Sequence, residues 1–482
     1  MKLLLFALNA SYAHAALSVR VLGKALTDAG FACEVLEATP AERTHAVLAR
    51  LVASDATVFG FSAYIWNIEQ LLALAEDLKT LRPDAKILFG GPEVSFDTER
   101  FHAHRFIDCI ITGEGEEAVV AAARAIAAGE VLPRVIEGKP YGDFLKAGIA
   151  YNGCEKEPRL VYYESSRGCP FSCAFCLSST SDGVRAKPAA VALADLAEFE
   201  KFPEPLTVKL VDRTFNFDRE RAKEIFRGLL SERYTKCYHF EVAAHLLDEE
   251  CIDILSRFPA GKVRLEIGLQ STNEKTLAAV SRHTDAAAVL AAARRLVAAR
   301  NVHVHLDLIA GLPHEGLASF ARSFDEAYFA SHVLQLGFLK LLHGTALRRD
   351  AEKLGIRYAK KPPYEVLSTP DLSFAELSRL HGVSDLMERL RDSGRFPHTL
   401  GLLLPAYFTP FAFYDGFAAY LQDKTGKPLQ KISQRDLFVH LSDFARAGIP
   451  QAAHGALSDA LCADFAAFEK RRPPRELSKN KE

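Results

Sequence analysis

SSRGCPFSCAFC, residues 165–176, places Cys169, Cys173 and Cys176 in a C-x3-C-x2-C spacing on one short stretch. A four-iron four-sulfur cluster normally takes four cysteine thiolates. Three leave one iron open to bind a substrate or cofactor. A structural zinc site wants four protein ligands in a closed tetrahedron. No fourth ligand lies close by, since Cys154 is well upstream and the next histidine is His239. A disulfide framework does not suit a chain of this size and type. The cluster is therefore the leading reading of the loop, with zinc as the alternative. Gly168 and Pro170 shape a tight turn, and Phe175 sets an aromatic ring beside the last cysteine.

Outward from this loop, residues 161–355 alternate strand and helix patterns. Apolar strands are expected at 160–164, 207–211, 238–242, 263–269, 303–309 and 334–340. Six such units are too few for a closed eightfold barrel, but in any parallel barrel the chemistry gathers at the carboxyl ends of the strands. Glu241, Glu266 and Asp307 each interrupt an apolar strand, where an unpaired charge is costly. They are candidates for polar contacts in the lumen. Structural ion pairing with Lys209, Arg264 or Lys340 is the plain alternative for each.

Upstream, residues 1–130 also alternate. Strands are expected at 2–8, 31–37, 57–62, 86–89 and 109–112, with helices at 17–29, 41–52, 68–81 and from about 116. Five strand–helix units imply a Rossmann-like parallel sheet covered on both faces, whose ligands bind at the carboxyl ends of its strands. Those ends carry residues 9–11, 62–66, 90–95 and 113–116, all rich in small or polar residues. Each loop alone could be an ordinary turn. Residues 131–160 hold Pro133, Gly138, Pro140, Gly142, Gly148 and Gly153 and read as a linker.

Residues 356–482 change character, with Pro362-Pro363 opening a region of mixed helices. Between 405 and 420 stand Tyr407, Phe408, Phe411, Phe413, Tyr414, Phe417 and Tyr420. Such a run reads first as core packing; the alternative is a substrate wall over the barrel mouth. The charged tail 471–482 is expected to be disordered.

Composition excludes some functions. Lys+Arg number 59 against Asp+Glu 61 in 482 residues, which argues against nucleic acid as the main partner. Nine cysteines, irregularly spaced outside the loop, suit a reducing, cytoplasmic setting. The apolar start reads as a buried first strand rather than a signal peptide, and no apolar run is long enough for a membrane span.

The cysteine loop, with Phe175 before its last cysteine, closely resembles the radical S-adenosylmethionine superfamily. The resemblance implies that the open iron chelates the amino and carboxylate groups of S-adenosylmethionine. Electron transfer then yields a 5′-deoxyadenosyl radical, and Phe175 contacts the adenine. The six strand–helix units match that family's partial (β/α)6 barrel. By the same resemblance Asp212 lies where ribose or amino-group contacts arise, and Glu241 and Gln270 match polar contacts to S-adenosylmethionine. EIGLQS, with Glu266, Gln270 and Ser271, is the second most specific match. Leu339 sits where backbone contacts to adenine are usual.

GGPEVS (90–95) and TGEGE (112–116), standing before the cysteine loop, look like the cobalamin-binding domain that precedes many such barrels. That implies a corrinoid on the sheet edge facing the cluster. Its implied contacts are Asn9, then Ser62, Ala63 and Tyr64, then Gly90, Gly91, Pro92 and Glu93, and finally Gly113, Glu114, Gly115 and Glu116. The pattern D-x-H-x-x-G is absent around His14, so no lower cobalt ligand is assigned and His14 reads as a loop or capping histidine. The whole resembles a bacterial subgroup with a C-terminal domain of unknown role.

The implied activity is cobalamin-dependent radical methylation of an unactivated carbon, through methylcobalamin, on a small-molecule or peptide substrate. The implied electron donor is of the flavodoxin or ferredoxin type. Radical oxidation, cyclisation or rearrangement without methyl transfer is the alternative. A corrinoid- or redox-sensing binding protein is a third reading. A tRNA methylthiotransferase is a fourth, opposed by an N-terminal segment holding only Cys33 and Cys109 and by the absence of a basic C-terminal signal.

Overall fold

The computed structural model describes residues 1–151, 160–181, 183–202, 206–469 and 472–478. Its first unit is a parallel sheet of β1 (Lys2–Leu8), β2 (Ala32–Ala38), β3 (Val58–Ser62), β4 (Lys86–Gly90), β5 (Cys109–Gly113) and β6 (Val135–Gly138), in the order β2-β1-β3-β4-β5-β6. Strand alternation decides the layering. Leu4, Phe6 and Leu8 of β1 join the core under helices Thr44–Ala53 and Ile68–Leu81, whereas Leu3, Leu5 and Ala7 join the core under Leu17–Asp28 and Gly115–Ala127. The chain reverses direction across the sheet between β1 and β3, which puts the ligand crevice at the ends of those two strands.

The sheet has one strand more than expected. β6 falls inside the expected linker 131–160, hidden because its four residues sit between Pro133 and Pro140 and carry no alternation of their own. Gly153 and Cys154 lie outside the described residues.

The second unit contains β7 (Leu160–Tyr163), a short antiparallel pair β8 (Ser166–Arg167) and β9 (Arg185–Ala186), then β10 (Thr207–Leu210), β11 (Cys237–Val242), β12 (Val263–Gln270), β13 (Val302–Ala310) and β14 (Val333–Phe338). The main strands run in the order β14-β13-β12-β11-β10-β7, parallel throughout, and among the described residues β7 does not pair with β14. This is the expected six-stranded open barrel. Residues along β13 alternate strictly between buried and half-buried. Val304, Leu306 and Leu308 face the helices, and His303, His305 and Asp307 face the lumen. A closed barrel fills its interior with apolar side chains; here the inward positions are polar and partly accessible.

The C-terminal region opens with β15 (Arg357–Tyr358) paired to β16 (Val366–Ser368) and continues as helices, the longest being Pro410–Thr425. Phe411, Phe413, Tyr414 and Phe417 are buried in the core shared with the barrel. The Tyr414 hydroxyl meets that of Tyr328 at 2.9 Å, on the outer barrel helix Leu317–Tyr328. The aromatic run is therefore packing on the barrel flank, not a wall over its mouth; Phe408 alone of the run is fully exposed. In the tail, a short helix Arg475–Ser478 buries Leu477, against the expected disorder, while 471 and 479–482 lie outside the described residues. Among the described residues no helix is long and apolar enough to cross a membrane.

Candidate functional site

The cysteine loop leaves the end of β7 and is anchored at several points. The Ala174 N–H donates to the Val280 carbonyl at 2.9 Å, and the Leu347 N–H to the Ala174 carbonyl at 2.8 Å. Cys169 Sγ lies 3.6 Å from Thr214 Oγ1, and Arg282 Nη1 lies 3.7 Å from Cys173 Sγ. Burial raises the Cys173 thiol against the pull of Arg282. All three cysteines are free. Among the described residues no three Cys, His, Asp or Glu side chains converge on a single ion. A closed zinc site needs such convergence. A cubane cluster takes one thiolate per iron, so its ligands stand apart, and three unpaired thiolates on one anchored loop fit it. Phe175 is half-buried against the barrel core.

Four expected barrel contacts divide unevenly. Gln270 sits at positive φ (71°), its amide over Gly268, with Oε1 buried and unpartnered. It faces the loop beside Arg282, whose guanidinium also donates to the Gly268 carbonyl. Asp212, by contrast, is fully buried and accepts from the Ser165 N–H at 2.7 Å and from the Ser165 and Ser166 hydroxyls. It braces the root of the cysteine loop and has no surface left for a ribose. Ser271 is equally buried, its hydroxyl donating to Glu315 at 2.7 Å. The Leu339 N–H donates to Ala310 and its carbonyl accepts from Val366, both at 2.9 Å, which leaves one carbonyl lone pair without a backbone partner.

The lumen holds an ion cluster. Lys209 Nζ lies 2.7 Å from Glu266 and 3.5 Å from Glu241, and His239 Nε2 lies 3.0 Å from Glu266. Burial pushes the Glu266 carboxyl up, but His239 and Lys209 outweigh it and hold it at about 2. Glu241 and Asp307 are raised by burial. The plain pairing alternative thus describes Glu266 and Glu241, with Lys209 as partner. Asp307, registered opposite Gly268, keeps a buried Oδ1 without a partner.

Across from the barrel stands the carboxyl edge of the first sheet. Tyr64 and Trp66 stack 4.3 Å apart, and Trp66 is half exposed. Ser62 bonds Ser18 at 2.9 Å, and the Ala63 N–H donates to Gly90. Gly91 has φ +113, and a Cβ there would collide with the Ala63 carbonyl; only glycine fits. The Asn9 amide donates to Glu37 and to the His14 carbonyl, shaping its own loop. His14 is a loop histidine: Nδ1 lies 2.5 Å from the Tyr162 hydroxyl, and the segment bridges to Leu160 of β7.

The acidic residues of both glycine-rich motifs are engaged by protein partners. Glu93 is buried and accepts from Arg100 at 2.7 Å and from the Tyr364 hydroxyl of the C-terminal region. Glu114 accepts from Arg167, Arg185 and the Tyr141 N–H; these outweigh burial and lower its carboxyl. Glu116 is buried against Arg167. Their side chains dock the domains, leaving Gly90, Gly91, Pro92, Gly113 and Gly115 as the accessible part of those loops. Arg282 and Tyr162 were invisible in the sequence, being single residues with no periodic or motif signal, and Arg167, though inside the cysteine stretch 165–176, was given no role there. A cavity of about 380 Å³ lies between helix Leu17–Asp28, residues 141–150 and β7; Glu116, Glu164 and Arg167 line it, and none of the three cysteines does.

A B12 binding domain model matches residues 4–123, a radical SAM superfamily model residues 163–327, and a model of a protein of unknown function, DUF4080, residues 352–482. A 2-(S-pantetheinyl)-carbapenam-3-carboxylate methyltransferase of Streptantibioticus cattleyicolor is 26% identical over 305 residues, 55% of this chain and 44% of that protein. The cobalamin-dependent radical SAM methyltransferase TokK of Streptomyces tokunonensis is 26% identical over 353 residues, 65% of this chain and 52% of TokK. The chain thus spans about half the length of these curated relatives. The solved structure of TsrM from Kitasatospora setae, a radical S-adenosylmethionine methyltransferase with cobalamin and a 4Fe-4S cluster bound, aligns with TM-score 0.64 at 16% identity, covering 97% of this chain and 99% of TsrM. OxsB, a cobalamin-dependent S-adenosylmethionine radical enzyme, gives 0.63 at 14% identity over 97% of this chain and 84% of its own. At these identities the likeness is one of fold. In chain order, the protein joins a B12 binding domain, a radical SAM superfamily domain and a DUF4080 domain.

Proposed function

We propose that the chain is a cobalamin-dependent radical S-adenosylmethionine enzyme that methylates an unactivated carbon of a small-molecule or peptide substrate. When bound, the cluster with S-adenosylmethionine supplies the radical that removes hydrogen, and the corrinoid supplies the methyl group. The observation that carries the reading is the direct apposition of the two halves. The root of the cysteine loop, at Arg167, is held by Glu114 and Glu116 of the first domain.

The chain's own residues bind, orient and exclude water. Cys169, Cys173 and Cys176 would hold the cluster, and Phe175 would contact the adenine. Arg282 and Gln270 take the polar end of S-adenosylmethionine, with Glu241 and Asp307 across the lumen. The backbones at Asn9, 62–64, 90–92 and 113–115 and the Tyr64–Trp66 stack carry the corrinoid. A lumen lined by Lys209, Glu266, His239 and His305 suits a substrate with hydrogen-bonding groups, because the buried, unpartnered Asp307 Oδ1 beside them needs a partner once water leaves. A flavodoxin- or ferredoxin-type donor in the cytoplasm supplies the electron.

The test is anaerobic reconstitution with iron, sulfide and hydroxocobalamin, then reductant and S-adenosylmethionine. 5′-Deoxyadenosine together with methylcobalamin is expected. Deoxyadenosine without methylcobalamin would favour radical chemistry without methyl transfer, and absence of cobalamin binding would refute the reading of the first domain.

A further inference from the structure

The three cysteines share one stem. β8 and β9 pair Ser166 with Ala186 and Arg167 with Arg185, so the cysteine segment leaves and returns through a single short ladder. Both arginines of that ladder end on one carboxylate of the other domain. Glu114 Oε2 accepts from Arg167 Nη1 at 2.6 Å, and Glu114 Oε1 accepts from Arg185 Nη2. Arg167 also reaches Glu116 Oε1 at 2.5 Å and Glu164 Oε2 at 2.9 Å, with its guanidinium 4.6 Å from the Phe144 ring centroid. Its side chain is 15% exposed and that of Glu116 is 4% exposed, so water screens these charges weakly.

The loop that presents the two glutamates has no slack. Gly113 lies at φ +68, and a Cβ there would overlap the Gly138 carbonyl. Glu114 is further held by the Tyr141 N–H at 2.8 Å. On the cobalamin reading, the backbone of this same loop faces the corrinoid while its side chains grip the cysteine stem. Without Arg167, three carboxylates (Glu114, Glu116 and Glu164) would face each other, with Arg185 still paired to Glu114 alone among the described ion pairs. Their repulsion would push loop and stem apart.

We propose that Arg167 is a positioning residue that couples the two cofactor sites, so that a loaded cysteine loop tightens corrinoid binding and a bound corrinoid fixes the cysteine loop. This rests on the cobalamin reading above. Reciprocity is required, since coupling between two binding sites is a single free energy.

The test compares hydroxocobalamin affinity of the full-length chain in two forms: cluster-loaded, and with Cys169, Cys173 and Cys176 replaced by serine. The wild-type background is expected to bind roughly 5- to 150-fold more tightly when loaded, and Arg167→Lys and Glu116→Gln to bring that ratio to about one. Iron and sulfide content and far-ultraviolet circular dichroism confirm that the variants load and fold. A merely structural Arg167 would weaken binding equally in both forms and leave the ratio unchanged, which would overturn the proposal. A wild-type ratio of one would overturn it too. If Arg167→Lys fails to fold, Glu116→Gln decides from the opposite side. A wild-type chain that binds no hydroxocobalamin in either form overturns the cofactor reading itself, a result distinct from loss of coupling.

Discussion

Replacing Lys209 by methionine separates a lumen held together by charge pairing from one merely lined with charges. Glu266 is held at about 2 by His239 and Lys209 despite burial. Against an ordinary glutamate near 4.3, that depression corresponds to roughly 3 kcal/mol of stability at neutral pH. A carboxyl whose folded value lies below its unfolded value contributes fully above about 4.5 and loses that contribution as the pH falls toward 2. His239 shares the effect, and the Lys209 and Glu266 side chains are 21% and 22% exposed. The methionine variant should therefore lose only about 1–2 kcal/mol, or roughly 2–8 °C in the melting temperature of a barrel that unfolds as one unit of about 200 residues. The assay is thermal unfolding of Lys209→Met, Glu266→Gln and the double variant at pH 7 and pH 3. At pH 7 the double variant should lose less than the sum of the singles, because removing either partner already strands the other. At pH 3 the Lys209→Met deficit should narrow. A single variant that melts within about one degree of wild type at pH 7, or strict additivity in the double, would refute the pairing argument.

Arg282→Ala should keep iron and sulfide but weaken S-adenosylmethionine by about tenfold or more, the usual cost of a charge-assisted hydrogen bond, measurable by titration calorimetry of the reconstituted protein. Gly113→Ala should cost about 1–2 kcal/mol for its left-handed backbone, plus the clash with Gly138, and should reduce cobalamin retention. Gly129→Ala, also at positive φ but with open space around it, serves as the control that loses stability and not cobalamin. His343 is held at about 4 by burial, helped by Arg100 and Arg348. The unfolded chain takes up that proton first, so stability should fall as pH drops from about 6.5 to 4, and His343→Gln should flatten that slope in melting temperature.

Alternating strands and helices were legible because most of these elements carry an apolar period of their own, and the bounds of helix Ile68–Leu81 followed from its helical period. β6 was not, since four residues between prolines have no period to read. The cysteine spacing was equally local and therefore legible. The misread residues were acids in motifs. Glu93, Glu116 and Asp212 stand beside glycines or at strand ends, where a ligand contact is the natural expectation. Their actual partners, Tyr364, Arg167 and Ser165, lie 271, 51 and 47 residues away. A sequence marks that an acid stands in a special loop; only the folded chain shows whether its carboxylate or its neighbours' backbone faces the ligand.

The same long-range docking resolves a difficulty of the barrel itself. A six-stranded open sheet leaves two edges, and an exposed edge invites misassociation. At β7 the edge meets the first domain: the Leu160 N–H donates to Ala13, and His14 rests on Tyr162. Beyond β14 the chain at Leu339–Leu341 is paired by Tyr364 and Val366, and Phe338 is stacked by His381 at 3.5 Å. Arg391 then ties the helical region to the Tyr328 and Ser331 carbonyls. Each flanking domain covers one open edge, and the first domain does so with the segment that also forms part of its ligand crevice. The N-terminal domain therefore cannot be displaced from the barrel without uncovering β7, which argues for a corrinoid crevice held beside the lumen by the architecture itself.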